Sequence, residues 1–322
     1  VGVEGRLVWS QAFGFADRER LLPATRTTRF RIGSVSKPLT AAAVALLHEK
    51  RLLDLDAPIQ RYVPSFPGKE FPITTRLLAG HLAGIRHYRG EEFRIRRHYA
   101  TVLEGLEIFR DDPLLHPPGT RFAYSSYGWN LIAAAVEGAS GEEFLSHMDR
   151  QVFGPFGMAH TEADRAEAEI PERTRFYERD GEGPIAEAPP VDLSCKWAGG
   201  GFLSTPEDLV RFGSAHLEGG FLKEETLELL FTSQRTSSGE ETGYGIGWKV
   251  QGDPKRGRLA SHSGSAVGGS AVLALYRDDG AVFAMAANLS PERNERWRAN
   301  DPIAVADLFV EEIRRRRSVE GR

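Results

Sequence analysis

The stretch "FRIGSVSKPLTAAAVALLHEK" (Phe30–Lys50) sets two serines, a lysine and a proline just ahead of an alanine-rich run. Pro38 suits the first turn of a helix, where its missing N–H costs little. Leu39, Ala43, Leu46 and Leu47 then share one apolar side, so a packed helix is expected from about Val35 to Lys50. Ser34 or Ser36 can cap it, but a cap has no use for a lysine three residues on. At i,i+3 Ser34 and Lys37 share a helix face, roughly 5–6 Å apart at Cβ. A serine attacks an acyl carbon only if a base takes its proton and donors receive the oxyanion. A desolvated lysine keeps some neutral amine, and the free N–H groups of a helix start suit an anion. Alone, Ser-x-x-Lys occurs by chance in a chain of 322 residues.

Two more segments supply company. "GTRFAYSSYGWNLIAAAVE" (Gly119–Glu137) puts the hydroxyls of Tyr124 and Ser126 in a turn at the mouth of an apolar helix. "LASHSGSAVGGSA" (Leu259–Ala271) ends a strand with His262 and follows it with small residues, so a substrate backbone can lie alongside. In this order the three segments resemble the Ser-x-x-Lys, Tyr-x-Asn and Lys/His-Thr/Ser-Gly motifs of the penicillin-recognising serine hydrolases, in their class C β-lactamase-like branch. "TRLLAGHLAGIRHY", "KWAGGGFLST" and "SHSGSAVGGSAVLAL" further resemble the mitochondrial serine β-lactamase-like group and its bacterial relatives, and the likeness runs from Phe13 over nearly the whole chain.

The resemblance implies Ser34 as the acylated nucleophile, Lys37 as its proton acceptor, and Tyr124 as the relay to leaving group and water. His262 takes the place often held by lysine. Ser126, Gly264 and Ser265 belong to the substrate and oxyanion side, with the N–H groups of Ser34 and Ser265 as the oxyanion donors. Ser126 departs from the family's Asn, offering one O–H where an amide offers two N–H donors and a carbonyl. His262 replaces a fixed cation with a group that titrates near pH 6.5 when unperturbed. Linear esters or peptide amides are therefore expected above β-lactams. The alternatives are a β-lactamase, a D-Ala-D-Ala carboxypeptidase, an acylated sensor without turnover, and a scaffold that keeps the fold alone.

The rest of the chain frames this site. A hairpin is expected around Glu4–Arg6, and short helices at Thr75–Leu82 and Asn130–Gly138. "STPEDLVRFGSAHLEGG" specifies a helix with Thr205 as N-cap, Pro206 at N1 and Asp208 at N3, stopped by Gly219–Gly220. After Gly243 the pattern turns to strands at "YGIGWKV", "RLASH", "SAVLALY" and "AVFAMAAN", the last two joined by a "RDDG" hairpin and apolar enough to need cover on both faces. Ile303, Ala306, Val310 and Ile313 mark a final helix, Ile303–Arg315, fit to cover one face. The expected fold is α/β in the α+β sense: an antiparallel sheet flanked by helices plus a mostly helical lobe, β-lactamase/transpeptidase-like by resemblance. One domain, 1–322, divides into a sheet lobe (1–53 and 191–322) and a helical lobe (54–190).

Composition excludes other classes. Hydrophobic residues at 41% and charged ones at 27% are globular values, and a net charge of −4 argues against nucleic acid. "RIRRH" (Arg94–His98) and "RRRR" (Arg314–Arg317) read as solvated helix faces or tail. The sequence has no run of 18 apolar residues and so no transmembrane segment, and lone Cys195 cannot form an internal disulfide. His81 and His87 lack metal-site spacing and read as loop-ordering residues; no metal or cofactor is implied. Gly199–Gly201 mark close backbone approach, while Arg293 and Arg296 read as surface groups or substrate-carboxylate binders. The opening "VGVEGRLVWSQAFGFAD" reads as a hairpin entered partway, so an N-terminal targeting signal for export or the periplasm is expected to be missing and the compartment stays open, as does the oligomeric state. The expected partner is a small-molecule or short-peptide substrate.

Overall fold

The computed structural model describes residues 1–179, 181, 183–290 and 302–320. Arg293 and Arg296 lie outside the described residues.

The strand patterns at the two ends of the chain meet in one antiparallel sheet. Its strands are β1 (Gly2–Val3), β2 (Arg6–Leu7), β3 (Lys249–Asp253), β4 (Gly257–Ala266), β5 (Gly269–Tyr276) and β6 (Ala281–Ala287), in the spatial order β3-β4-β5-β6-β1-β2. β1 pairs with β6 at Gly2↔Val282, and β5 with β6 through the "RDDG" turn. Successive side chains of a strand point to opposite faces. Ala271, Leu273 and Leu275 of β5 therefore enter the main core, while Val272, Ala274 and Tyr276 enter a second core on the other face. That is why the run is apolar without alternation. Leu273 and Leu275 are fully buried, and truncation of either to Ala costs about 2–5 kcal/mol.

"YGIGWKV" is a strand only from Lys249 on. Tyr244–Trp248 threads between packed helices instead, because Gly245 and Gly247 bring backbone where no side chain fits. A Cβ on Gly245 would stand 2.1 Å from the Leu230 carbonyl oxygen, and one on Gly247 2.7 Å from Ala41 Cβ.

Helices complete the core, some on the sheet and others against one another. In α1 (Ser36–Glu49) nearly every residue is buried, so the single apolar side expected from sequence becomes burial almost all round. Alanines at 41–43 and 45 let neighbours close in from every direction. α2 (Ser126–Ser140) starts four residues earlier than its apolar run, because Ser125 Oγ accepts from Gly128 N at 3.0 Å and caps it. The predicted helix at Thr75 ends at Ala79. α3 (Pro206–Glu218) follows its sequence signals, with Thr205 Oγ1 accepting from Asp208 N and Gly219 beyond the end at φ 77°. A Cβ on Gly213 of α3 would lie 2.6 Å from Val282 Cγ1, which sets how closely the helix sits on β6.

α4 (Pro302–Glu320) covers the second face with Ile303, Ala306, Val310 and Ile313, and Arg256 and Tyr276 Oη (2.7 Å) bind its Asp307. A small sheet, Phe30–Arg31 and Glu162–Ala163 on either side of Phe202–Ser204, anchors the chain just before α1. Among the described residues no helix is long and apolar enough to cross a membrane.

Candidate active site

Two glycines set the geometry. The chain leaves Phe30–Arg31 and makes one 3₁₀ turn, Gly33–Val35, before α1. Gly33 has φ 49°, and a Cβ there would meet the Ser265 carbonyl oxygen at 2.5 Å; one on Gly264 would meet the Ile32 carbonyl oxygen at 1.8 Å. With no side chains between them, β4 and the start of α1 lie backbone to backbone. Ala266 and Gly269 flank the two-residue turn Val267–Gly268, with Gly268 at φ 71°, and form a hydrogen-bonded pair. Pairs alternate along an antiparallel ladder, so Ser265 opposite Ser270 is a non-hydrogen-bonded pair whose N–H and C=O face away from β5. On that side β3 has already ended its pairing, at Lys249↔Ser261, and the Gly33–Ser34 backbone takes its place. The N–H of Ser34, at a helix start, has no intrahelical partner.

Lys37 is fully buried beneath Ser34. Its Nζ donates to the Gly199 carbonyl at 2.6 Å and stands 3.0 Å from both Ser126 Oγ and Ser34 Oγ. Burial alone holds its pKa well below the usual lysine range. A neutral amine has two N–H groups and one lone pair, which matches these three partners with the lone pair turned to Ser34. Gly199 is small because it backs onto α2: a Cβ would meet the Ser126 carbonyl oxygen at 3.0 Å.

Tyr124 lies with its ring 4.9 Å from Lys37 Nζ, and its hydroxyl interacts with those of Ser34 and Ser126. Burial outweighs these contacts and pushes the phenol up to about 12, so at neutral pH it is a proton donor. His81 Nδ1 accepts from Ser125 N at 3.1 Å and His87 Nδ1 from Ser126 N at 3.2 Å. The two histidines thus order the Tyr124–Ser126 turn, and the His81 ring packs on Tyr124 at 4.2 Å.

Ser34, Tyr124, Ser126 and Ser265 line one cavity of about 400 Å³. His262 and Gly264 do not line it. His262 is 1% exposed, behind Tyr124: Nδ1–H donates to the Ser263 carbonyl at 2.8 Å and Nε2 accepts from Tyr244 O–H at 2.8 Å. Burial and the Lys37 charge hold its pKa well below 6.5, so the acid-range titration expected of an unperturbed histidine is displaced. Tyr88, Phe93, Leu193, Lys196 and Val267 also line the cavity, and sequence reasoning singled out none of them. "KWAGGG" marked a resemblance, but nothing local says which way Lys196 faces. Burial pushes the Cys195 thiol up to about 11, which leaves it inert. Among the described residues no three His, Cys, Asp or Glu side chains gather to hold a metal. A larger cleft of about 910 Å³, lined by Glu137, Asp149, Arg165 and Trp197 among others, contains none of the motif residues.

An antiparallel sheet with helices on both faces, and a serine–lysine pair at the start of a buried central helix, define the β-lactamase/transpeptidase class of fold. A family model described as Beta-lactamase matches residues 1–307, and the chain belongs to that family, whose members include penicillin-binding proteins, esterases and amidases. It is 34% identical to the human mitochondrial serine beta-lactamase-like protein LACTB, the match spanning 87% of this chain and 68% of the relative. It is 28% identical to esterase EstB of Burkholderia gladioli over 82% of this chain and 78% of that protein. The crystal structure of a penicillin binding protein from Bacillus halodurans superposes with a TM-score of 0.78 at 24% identity, covering 93% of this chain and 91% of that one.

Proposed function

We propose that this protein is a serine hydrolase that cleaves an ester or peptide amide through an acyl-enzyme on Ser34. The observation that carries the reading is a fully buried Lys37 amine 3.0 Å from Ser34 Oγ, where burial favours its neutral form. Lys37 takes the Ser34 proton as Oγ bonds to the acyl carbon, and the N–H groups of Ser34 and Ser265 receive the oxyanion. The C–O or C–N bond then breaks, Tyr124 gives its proton to the leaving group, and Lys37 returns one to Tyr124. Water attacks the acyl-enzyme by the reverse route, its proton passing to the Tyr124–Lys37 pair and from there to Ser34. A phenol titrating near 12 is too weakly acidic to stand ionised as the first base, which supports Lys37 in that role.

Linear substrates suit this site. Ser265 lines the cavity beside Ser34, so an extended chain reaching Ser34 can lie against the end of β4. Ser126 offers one donor to an amide arm where the family motif offers more. The test is a hydrolysis panel of p-nitrophenyl esters, aminoacyl amides, D-Ala-D-Ala peptides and nitrocefin beside Ser34→Ala, with fluorophosphonate labelling mapped by mass. Labelling at Ser34 and turnover of esters or amides are expected. A label elsewhere sinks the assignment, and nitrocefin as the best substrate replaces it with a β-lactamase. A permanent adduct from an acylating ester makes the protein a sensor.

A further inference from the structure

Lys196 is the one charged side chain among the residues that line the cavity, and it is 4% exposed. Its Nζ donates to the Phe93 carbonyl at 3.0 Å and lies 5.2 Å and 5.4 Å from the ring centroids of Tyr88 and Phe93. An ammonium has three N–H donors, and among the described residues only the Phe93 carbonyl accepts from it. Asp192, a carboxylate that acts on it electrostatically, is engaged with His98 Nδ1 at 3.0 Å and Ser194 N at 2.8 Å and forms no ion pair with it among the described residues. No Asp or Glu lines the cavity. Burying an ammonium without a counter-charge is costly and lowers the Lys196 pKa, a cost that an incoming anion relieves; a structural peg for one carbonyl needs no charge. The arrangement is the one a receptor for an anion would have before the anion arrives.

The place of the lysine bears on which part of the substrate carries that anion. Lys196 lines the cavity together with Leu193 and Val267, which belong to a small apolar cluster against which Phe93 and Trp197 pack. A leaving group has to diffuse out after the first step, whereas the acyl group stays bonded to Ser34. An almost fully buried receptor therefore suits the acyl half.

We propose that Lys196 is the receptor for a carboxylate carried on the acyl half of the substrate, so that the enzyme prefers anionic acyl groups. The proposal rests on the acyl-enzyme reading of Ser34. It predicts that substrate binding completes the lysine's hydrogen bonding and gives the ammonium its counter-charge.

The test compares three esters: mono-p-nitrophenyl adipate, neutral p-nitrophenyl hexanoate, and the hexanoyl ester of 4-hydroxybenzoate, whose carboxylate lies on the leaving group. Each is run with wild type, Lys196→Met and Lys196→Arg, and fluorophosphonate labelling of Ser34 checks that every variant is folded and competent. Wild type should favour adipate over hexanoate in kcat/KM. In Lys196→Met that ratio should fall about 10–100-fold, mostly through KM, as expected for the loss of a charge-assisted hydrogen bond, and Lys196→Arg should recover part of it. An unchanged ratio, an equal loss on both esters, or a preference that follows the leaving-group carboxylate overturns the proposal. Absence of both labelling and turnover in wild type overturns the acyl-enzyme reading instead.

Discussion

Two buried, titratable couples stand on opposite sides of Tyr124: Lys37 with Ser34 and Ser126 on the helix side, and His262 with Tyr244 on the strand side. Burial drives both lysine and histidine towards their neutral forms. Their difference lies in where the freed lone pair points. That of Lys37 faces a serine hydroxyl on the cavity wall, 3.0 Å away; that of His262 Nε2 is taken by the Tyr244 hydroxyl at 2.8 Å, out of the cavity. A perturbed pKa thus singles out a functional group only when the geometry opens on a substrate.

The largest expected effect removes the helix-side base. Lys37→Ala should cost about 10²–10⁴-fold in kcat with esters, the range for a lost general base; a loss under tenfold would make Tyr124 or His262 the base and reverse the comparison. Next comes Gly264→Ala, whose Cβ would fall 1.8 Å from the Ile32 carbonyl oxygen and so force β4 away from Ser34. A displaced Ser265 N–H should cost about 10²–10³-fold in kcat, as for a lost oxyanion donor. Unchanged kcat in a folded variant would remove Ser265 from that role.

The strand side should respond less in rate and more in stability. Tyr244→Phe strips His262 Nε2 of its donor; we expect about 1–3 kcal/mol of lost stability in urea unfolding, the cost of an unsatisfied buried group, with kcat changed under tenfold. A larger kcat loss without destabilisation would assign this couple to the chemistry.

The mildest probe is pH. Activity needs neutral Lys37, so kcat/KM should fall as pH drops through the lowered lysine pKa, and His262→Gln should leave that acidic limb in place. If the limb vanishes, it belongs to His262. Stability has its own sign. The folded pKa of His262 lies below its unfolded value near 6.5, so the unfolded chain binds more protons below that pH. Unfolding free energy should then fall as pH drops below about 6.5, by up to about 1.4 kcal/mol per pH unit for this group. His262→Gln should flatten that slope, and an unaltered slope would mean the ring is solvated.

What the sequence alone determined is what depends on neighbours along the chain. The i,i+3 spacing put Ser34 and Lys37 on one face, the Thr205-Pro206-Asp208 signals started α3 where it starts, and the unbroken apolar run of β5 called for cover on both faces. Tyr124 and Ser126 were legible as a turn at a helix mouth for the same reason. The tertiary structure alone decided how Gly264 meets Ile32, that Tyr244–Trp248 threads between α1 and α2 rather than pairing as a strand, that His262 turns its ring behind Tyr124, and that Lys196 faces the cavity. Each of these turns on contacts between segments far apart in the chain; at Gly264 and Gly247 even a Cβ would fall 1.8 Å and 2.7 Å from a neighbour, which leaves room for backbone alone. Local pattern cannot register such a contact, because the residue types are the same whichever way the side chain points, and only the partner across the core excludes the alternative.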